Sequence, residues 1–507
     1  MYSQIRSAAL CGLEAVPVRV EADVSDGLPG ITIVGSVGAK VREAADRVRT
    51  ALKNTGLALP AKRITINIAP ADIHKEGSRF DLPIALAILE TTGWIAPESL
   101  QRVMVIGELS LDGRINPVTG VLGSVLSARK EDCLTCIVPS GNVREGALVE
   151  GIRVVGASYL GEAIGLIQKR FPGERVIGNE APLLNDYRID FSDIRGQKLV
   201  KRAALLAVSG FHNLLLVGPP GSGKTMLAKR LVTIMPPLTM EESLEITQIY
   251  SVAGLLKEDS AMITRRPFRS PHHTVTPKGL AGGGSIPGPG EITLAHRGIL
   301  FLDEIPEFPR RSLEILRQPL EDRQITITRA TGRFTFPASF LLAAAMNPCP
   351  CGYYPDPKRC QCSTTDLIRY QGRLSKPLLD RIDLRVEVPA LSYDDLTTGS
   401  RSEITSADLT AEAERVHAIQ RKRFAGTGIL FNAEMPPALL SQFCPLTDAA
   451  EKALAVAFES MKLSARAYHR VLRVARTAAD LDGADVIDVR HVREALICRA
   501  PERENYA

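Results

Sequence analysis

Residues 213–231 read NLLLVGPPGSGKTMLAKRL, and this stretch predicts the fold of the central part of the chain. Four apolar residues at 214–217 indicate a buried strand, and residues 226–231 continue as a helix. Between them, Gly218–Thr225 fits the pattern G-x-x-x-x-G-K-(S/T), in which backbone N–H groups surround a phosphate and the helix N-terminus adds a favourable dipole. Strand, glycine-rich loop and helix in this order predict an α/β domain that binds a nucleoside triphosphate.

The glycine-rich loop supplies most of the predicted ligands of ATP and Mg²⁺. We expect Lys224 to reach the β- and γ-phosphates and the Thr225 hydroxyl to bind Mg²⁺. The other predicted nucleotide-binding residues are Gly218, Pro219, Pro220, Gly221, Ser222 and Gly223.

Two further strands are expected to bring polar side chains to the same site. Residues 298–304 read GILFLDE, an apolar run that ends in two carboxylates, and ligands bind at this end of the strands in α/β sheets. Asp303 is expected to hold the Mg²⁺ shell, and Glu304 to orient or deprotonate the attacking water. Asn347 ends a third apolar run, and its amide would help to place the same water, although an Asn before Pro is also typical of a plain turn.

Residues 349–362 contain a cluster of cysteines with the spacing C-x-C-x8-C-x-C, at Cys349, Cys351, Cys360 and Cys362. Four thiolates this close in sequence can bind one tetrahedral Zn²⁺, so we predict a structural zinc site. The spacing departs from the usual C-x2-C arrangement, and reduced or redox-active thiols are the alternative.

Residues 265–297 form a basic stretch rich in Gly and Pro, which excludes a single helix. Its cations and one aromatic ring suit the phosphates and the bases of a nucleic acid. The predicted contacts are Arg265, Arg266, Phe268, Arg269 and Lys278. Two alternatives stay open at this point, a metal site at the histidines of the loop and a purely structural loop.

Polar stretches divide the chain into blocks. The stretch at 171–190 reads as a linker and the stretch at 390–409 as a second boundary, which leaves blocks at 1–170, 191–390 and 410–507. The first block alternates β-rich and helical runs, and the third is almost wholly helical in its period.

Composition restricts the environment and the partners of the chain. No run approaches the length of a membrane span, and the N-terminus does not read as a secretory leader. Nine cysteines among 507 residues, without such a leader, favour a reducing compartment, so we expect a cytoplasmic protein with no membrane partner. The net charge of +5 permits an acidic partner such as nucleic acid but does not require one.

The segments GPPGSGKT, GILFLDEIPEF, AAMNPCPCG, LSKPLLDRIDL and SARAYHRVLRVARTAADL resemble magnesium-chelatase-like AAA+ ATPases, and among these the YifB/ComM family. The resemblance implies a homo-oligomeric ring, expected to be a hexamer, with ATP between neighbouring subunits. It places an arginine finger at Arg381, which would stabilise transition-state charge on the neighbour's γ-phosphate, whereas a salt bridge to Asp380 or Asp383 is the alternative. It also places a lid arginine at Arg466, with Arg470 as the second choice.

RFDLPIALAIL and VIGELSLDGRINPVTGVLGSVLSARK in the first block resemble the proteolytic domain of Lon-type proteases. Those enzymes need a serine nucleophile and a lysine base, since a serine hydroxyl alone is a weak nucleophile. The serine position falls near Phe80–Asp81 and the lysine position falls at Gly123, with Ser78 and Ser124 nearby. We therefore expect no peptidase activity, and a scaffold or a collar that faces DNA.

The predicted fold class is α/β with three domains. These are a Lon-protease-like α+β domain without its Ser–Lys dyad at 1–170, an AAA+ P-loop domain with a parallel sheet at 191–390 that includes a four-cysteine insertion at 349–362, and a helical lid at 410–507. A linker at 171–190 joins the first two domains. The resemblance implies an ATP-driven DNA motor, a branch migration helicase that acts on single-stranded or branched DNA during natural transformation. A protein-remodelling or magnesium-chelatase-like ATPase without DNA dependence is the alternative.

Overall fold

In the computed structural model, the described residues are 2–170, 187–256, 262–284, 287–329, 332–390 and 404–499. Residues 171–186 of the predicted linker and 391–403 of the second predicted boundary lie outside these ranges. Within them, no helix has both the length and the apolar character that crossing a bilayer requires.

The strands of the described residues are numbered in chain order. They are β1 (Tyr2–Cys11), β2 (Glu14–Ser25), β3 (Gly30–Val34), β4 (Arg63–Ala69), β5 (Val103–Val105), β6 (Glu108–Leu109), β7 (Ile115–Asn116), β8 (Thr135–Pro139), β9 (Arg153–Ala157), β10 (Leu214–Val217), β11 (Phe268–Arg269), β12 (Gly282–Gly283), β13 (Gly288–Pro289), β14 (Ile299–Leu302), β15 (Gln324–Arg329), β16 (Gly332–Pro337), β17 (Leu341–Met346) and β18 (Leu384–Glu387).

The α-helices of the same residues are numbered in the same way. They are α1 (Ala39–Arg42), α2 (Ala44–Asn54), α3 (Asp81–Thr91), α4 (Val121–Lys130), α5 (Val143–Gly146), α6 (Leu160–Ile167), α7 (Lys198–Gly210), α8 (Lys224–Arg230), α9 (Met240–Val252), α10 (Pro277–Ala281), α11 (Glu291–Leu294), α12 (Arg310–Ile315), α13 (Arg317–Asp322), α14 (Thr364–Gln371), α15 (Lys376–Leu379), α16 (Ser406–Arg423), α17 (Pro437–Phe443), α18 (Asp448–Ser460), α19 (Ala465–Leu481) and α20 (Val489–Ile497).

The N-terminal block is built on a seven-stranded sheet with the order β3-β4-β2-β1-β5-β8-β9. β1 and β2 pair antiparallel, whereas β5, β8 and β9 run parallel to one another. α3 packs on β1 and β2 and is buried along its whole length. Its buried Asp81 carboxylate accepts two hydrogen bonds from the Arg47 guanidinium, at 2.8 and 2.9 Å, and this bidentate pairing stabilises a charge inside the core.

The central block contains a five-stranded sheet with the order β11-β14-β17-β10-β18, in which every neighbouring pair is parallel. β14 and β17 are buried at every residue, as is typical of parallel strands covered on both faces. The predicted parallel sheet is therefore confirmed. Because parallel strands end at the same edge, the segments that follow β10, β14 and β17 meet there.

The C-terminal block is helical, as predicted, and consists of α16–α20. Its helices share one hydrophobic core with α7, α8 and β10. An ion pair also fixes it to the sheet, because the buried carboxylate of Asp383 accepts hydrogen bonds from Arg470 Nη1 (2.6 Å) and from the backbone N–H of Asn213 (2.9 Å). Burial alone would raise the pKa of Asp383, but the Arg470 charge and the hydrogen bond from Asn213 hold it below its ordinary value.

Helix α9 joins the N-terminal block to the central block. Gln248 Nε2 donates to the carbonyl oxygen of Leu13, in the turn between β1 and β2, at 2.8 Å. The Ser251 carbonyl oxygen accepts from the Gly120 N–H at 3.2 Å, and the Ser251 hydroxyl donates to the Glu145 carboxylate. These polar contacts connect the two blocks, and Leu13 also packs on the hydrophobic core of the central block.

Candidate nucleotide site

The glycine-rich loop leads from β10 into α8. Gly223 has φ +90°, a left-handed conformation that favours glycine, and it directly precedes Lys224 at the start of the helix. Lys224 Nζ donates to the carbonyl oxygens of Gly218 (2.7 Å) and Pro219 (2.9 Å). Burial lowers the pKa of Lys224, against the raising effect of Asp303 nearby. The ammonium group is therefore hydrogen-bonded to the backbone of the first two residues of the loop.

Thr225 and Asp303 are in direct contact. Thr225 Oγ1 donates to Asp303 Oδ2 at 2.7 Å, and Asp303 Oδ1 accepts from the backbone N–H of Glu304 at 3.0 Å. A hydroxyl and a carboxylate at the same point are oxygen ligands that suit Mg²⁺, so these two residues fit the predicted metal shell. Glu304 lies one residue further on and is exposed, so its predicted role toward water stays a prediction.

Asn347 follows β17 and lies beside the loop. Its Oδ1 accepts a hydrogen bond from Lys224 Nζ at 3.1 Å. The structure therefore brings Lys224, Thr225, Asp303 and Asn347 together through direct hydrogen bonds, from three segments that are far apart in sequence.

The two predicted arginines do not join this group. Arg381 is 7% exposed at its side chain and forms an ion pair with Glu321 at 2.6 Å. Its guanidinium also donates to the carbonyl oxygens of Pro377 (2.6 Å) and Arg317 (3.2 Å). Arg466 is exposed in the first turn of α19. The second choice, Arg470, is bound to Asp383 and so holds the C-terminal block on the sheet.

The four cysteines of the insertion lie together, with all four sulfur atoms within 4.8 Å of one another. Cys349 Sγ lies 3.3 Å from Cys351 Sγ and 3.8 Å from Cys360 Sγ. Thiolates at about 2.3 Å from one tetrahedral ion lie about 3.8 Å apart, so the cluster fits a metal ion. Cys349 Sγ also accepts the N–H groups of Gly352 and Tyr354, at 3.2 and 3.3 Å, which would stabilise a thiolate ligand.

The basic loop is largely paired within the chain. The expectation that Arg266 contacts nucleic acid does not fit its position, because it is buried, donates to the Arg297 carbonyl oxygen (2.7 Å) and pairs with Glu242 (3.1 Å). Arg269 is bound by Glu291 through two hydrogen bonds of 2.7 Å.

The other three residues predicted to contact nucleic acid differ in exposure. Phe268 is half-buried, and its ring centroid lies 6.0 Å from that of Phe301 in the core. Arg265 lies over the Tyr187 ring, at 5.8 Å from the centroid, and Lys278 is exposed on α10. The five residues therefore do not form one exposed surface.

A basic surface that the sequence prediction missed includes Lys278. A Cβ at Gly283 would lie 3.0 Å from Lys278 Cγ and 3.4 Å from Arg329 Nη2, so the two side chains meet over this glycine. Arg329 ends β15, and Arg333 stands on β16 of the same hairpin, on the opposite face. The sequence signal was available, since a basic residue ends QITITR and another lies at the second position of the following strand. We name the pair the Lys278–Arg329 surface.

Comparison with protein families matches three parts of the chain. Subunit ChlI of Mg-chelatase matches residues 20–142, magnesium chelatase, subunit ChlI, matches 190–396, and the C-terminal part of magnesium chelatase subunit ChlI matches 403–499. The predicted resemblance to magnesium-chelatase-like AAA+ proteins is therefore confirmed.

Two relatives match along nearly the whole chain. The chain is 40% identical to YifB of Escherichia coli (strain K12) over 501 residues, which are 99% of this chain and 97% of YifB. It is 42% identical to the competence protein ComM of Haemophilus influenzae over 506 residues, which are 98% of this chain and 97% of ComM. The chain belongs to the YifB/ComM family. Membership of this family indicates an ATPase of the YifB/ComM type, and the group of Lys224, Thr225, Asp303 and Asn347 agrees with that activity.

The N-terminal block of this YifB/ComM chain is also similar to a protease. It is 28% identical to the Lon protease of Mycolicibacterium smegmatis over 141 residues, 26% of this chain and 18% of that protease. Of the two nearby serines, Ser78 donates to the Glu108 carboxylate, whereas Ser124 donates to the Gly120 carbonyl oxygen and accepts from Arg79 at 3.2 Å. These partners include no lysine, and the lack of peptidase activity stays a prediction.

We expect the purified protein to carry one metal ion per chain at the four-cysteine cluster, because the thiolate geometry fits a tetrahedral ion. Elemental analysis by mass spectrometry measures the amount and the identity of the metal. Cys351→Ser should lower the content at least about tenfold, since removal of one ligand leaves three. Cys11→Ser, at an exposed cysteine of the N-terminal block, is the matched control. Metal-free wild-type protein with four titratable cluster thiols would contradict the assignment.

Proposed function

We propose that this chain is an ATP-driven DNA motor, a branch migration helicase that forms a hexameric ring in the cytoplasm and acts during natural transformation. The observation that carries the ATPase part is the hydrogen-bonded group of Lys224, Thr225, Asp303 and Asn347 at one edge of a parallel sheet. The relative ComM is a competence protein, which supports DNA as the substrate class.

The residues of the group would divide the work within one subunit. Lys224 would bind the β- and γ-phosphates, while Thr225 and Asp303 would hold Mg²⁺, which supplies positive charge to the triphosphate when bound. Glu304 would orient or deprotonate the attacking water, and Asn347 would fix the position of that water and of the Lys224 ammonium. The backbone of Gly218–Gly223 would surround the phosphates.

The remaining parts of the chain would serve the ring. Residues 1–170 would form the collar, the helical lid at 410–507 would carry Arg466 toward the nucleotide, and Zn²⁺ would stiffen the insertion at 349–362. Arg381 would act on the neighbour's nucleotide. Since Arg381 is paired with Glu321 inside its own subunit, this role requires that ring assembly exchange the carboxylate of Glu321 for the γ-phosphate of the neighbour.

We expect the ATPase rate to rise when DNA is added, most of all with single-stranded DNA or four-way junctions. Lys224→Ala is the blank, because it removes the phosphate-binding ammonium. Glu304→Gln should bind ATP but hydrolyse it at least about 100-fold more slowly, since the amide cannot accept the proton of water. Rates are measured by phosphate release. A substantial basal rate that no DNA changes would contradict the DNA motor and favour a protein-remodelling or chelatase-like ATPase.

Arg381→Ala should lower kcat by about 10³-fold if the guanidinium acts across the subunit interface. Mixing Arg381→Ala with Lys224→Ala subunits should then restore part of the rate, because each variant retains the half-site that the other lacks. Glu321→Gln is the control, since it removes the resident partner of Arg381 but keeps the arginine. A wild-type rate for Arg381→Ala alone, or no recovery in the mixture, would overturn the trans role.

Lys278→Ala and Arg329→Ala should weaken DNA binding and leave the basal ATPase rate unchanged, because both cations lie on the exposed Lys278–Arg329 surface. Each phosphate contact removed should reduce the slope of log Kd against log salt by about 0.7 for single strands. Fluorescence anisotropy of a labelled oligonucleotide measures this slope. Lys53→Ala, at an exposed residue of α2, should keep the wild-type slope, and so would both test variants if DNA bound elsewhere.

A further inference from the structure

A cavity of about 990 Å³ lies directly beside the glycine-rich loop. Gly218 and Pro219 of the loop line it, together with Val388 after β18 and Gln197 before α7. Its volume is at the upper end of the range that small-molecule pockets occupy. Because the loop that would hold the phosphates forms part of its wall, the cavity is placed to receive the rest of a nucleotide.

The four-cysteine insertion also lines this cavity, through Tyr353, Tyr354, Asp356 and Arg359. Arg359 Cζ lies 4.0 Å from the centroid of the Tyr353 ring, so a guanidinium plane and an aromatic ring are stacked at the cavity wall. Purine and pyrimidine bases stack on aromatic rings and on arginine planes. The carboxylate of Asp356 adds a hydrogen-bond acceptor, which suits the exocyclic amino group of adenine.

The insertion is also fastened to the glycine-rich loop. Gly352 has φ +88°, and a Cβ at this position would lie 2.5 Å from Pro220 Cδ, so only a glycine allows this approach. Gly352 and Tyr354 both donate backbone hydrogen bonds to Cys349 Sγ. The same short segment thus contacts the cysteine cluster, the loop and the cavity.

We propose that the four-cysteine insertion supplies the base-binding wall of the nucleotide site, with the free face of the Tyr353 ring stacking on the adenine, Arg359 covering the other face of that ring, and the bound metal holding both in place. This assignment rests on the proposed function only in that ATP binds at the glycine-rich loop. Under this proposal the metal affects the affinity for ATP indirectly, because it fixes the residues that contact the base.

The experiment compares ATP with inorganic tripolyphosphate, a probe that has the phosphates and no base. Titration calorimetry on the full-length protein with Mg²⁺ measures both dissociation constants. Tyr353→Ala should weaken ATP binding about tenfold, in line with the loss of one base–aromatic stack, and leave tripolyphosphate binding unchanged. Tyr353→Phe should bind ATP as the wild type does, because it keeps the ring.

Cys351→Ser should reproduce the effect of Tyr353→Ala on ATP with no effect on tripolyphosphate, because loss of the metal releases the wall. Lys358→Ala, on the same loop and outside the cavity lining, is the matched control. Equal losses for both probes, or unchanged ATP affinity in Tyr353→Ala and Cys351→Ser, would overturn the proposal. A chain that shows the expected binding pattern but hydrolyses no ATP would contradict the proposed function and leave the base-binding wall supported.

Discussion

A hydrogen bond of 2.7 Å from Thr225 to Asp303 joins the segment after β10 to the segment after β14. The two strands are not neighbours, because β17 lies between them. Asn347, at the end of β17, reaches Lys224 and closes the same group. These contacts require that three parallel strands end close together at one edge of the sheet. β10 and β17 end level with each other, with Val217 beside Met346, and β14 ends two residues earlier, with Leu302 beside Ala344. The chemistry of the site therefore depends on the registration of the sheet.

The elements around this edge could be predicted because buried parallel strands read as continuous apolar runs. LLLV, ILFL and LLAAAM carry that signal, and each is followed by residues with obvious chemistry. The hairpin β1–β2 carries a weaker signal, and the sequence did not predict it. Ser3 and Ser7 occupy buried positions in β1 that alternate with the buried Ile5 and Ala9, so small polar side chains interrupt the expected apolar alternation.

The parts of the site that sequence could not resolve are those decided by a distant partner. Arg266 and Lys278 are both basic and lie in the same loop. Arg266 pairs with Glu242 on α9 and is buried, whereas Lys278 is exposed. Arg329 lies beside Lys278 although β14 and the helices α11–α13 separate them along the chain. Likewise, Glu321 on α13 decides the present position of Arg381. Charge alone predicts neither burial nor pairing, because both depend on which carboxylate the fold brings near.

The four-cysteine insertion follows the same sheet edge, and its position limits how it can move. Asn347 binds Lys224, and Cys349 is already part of the cysteine cluster two residues later. A link this short cannot move at one end without moving at the other. Gly352 then packs against Pro220. The cluster is thus connected to the glycine-rich loop by two contacts, one at Asn347 and one at Gly352. A metal ion at this cluster would therefore act on the ATPase by fixing the distance between the end of β17 and the loop, with no chemistry of its own in the reaction.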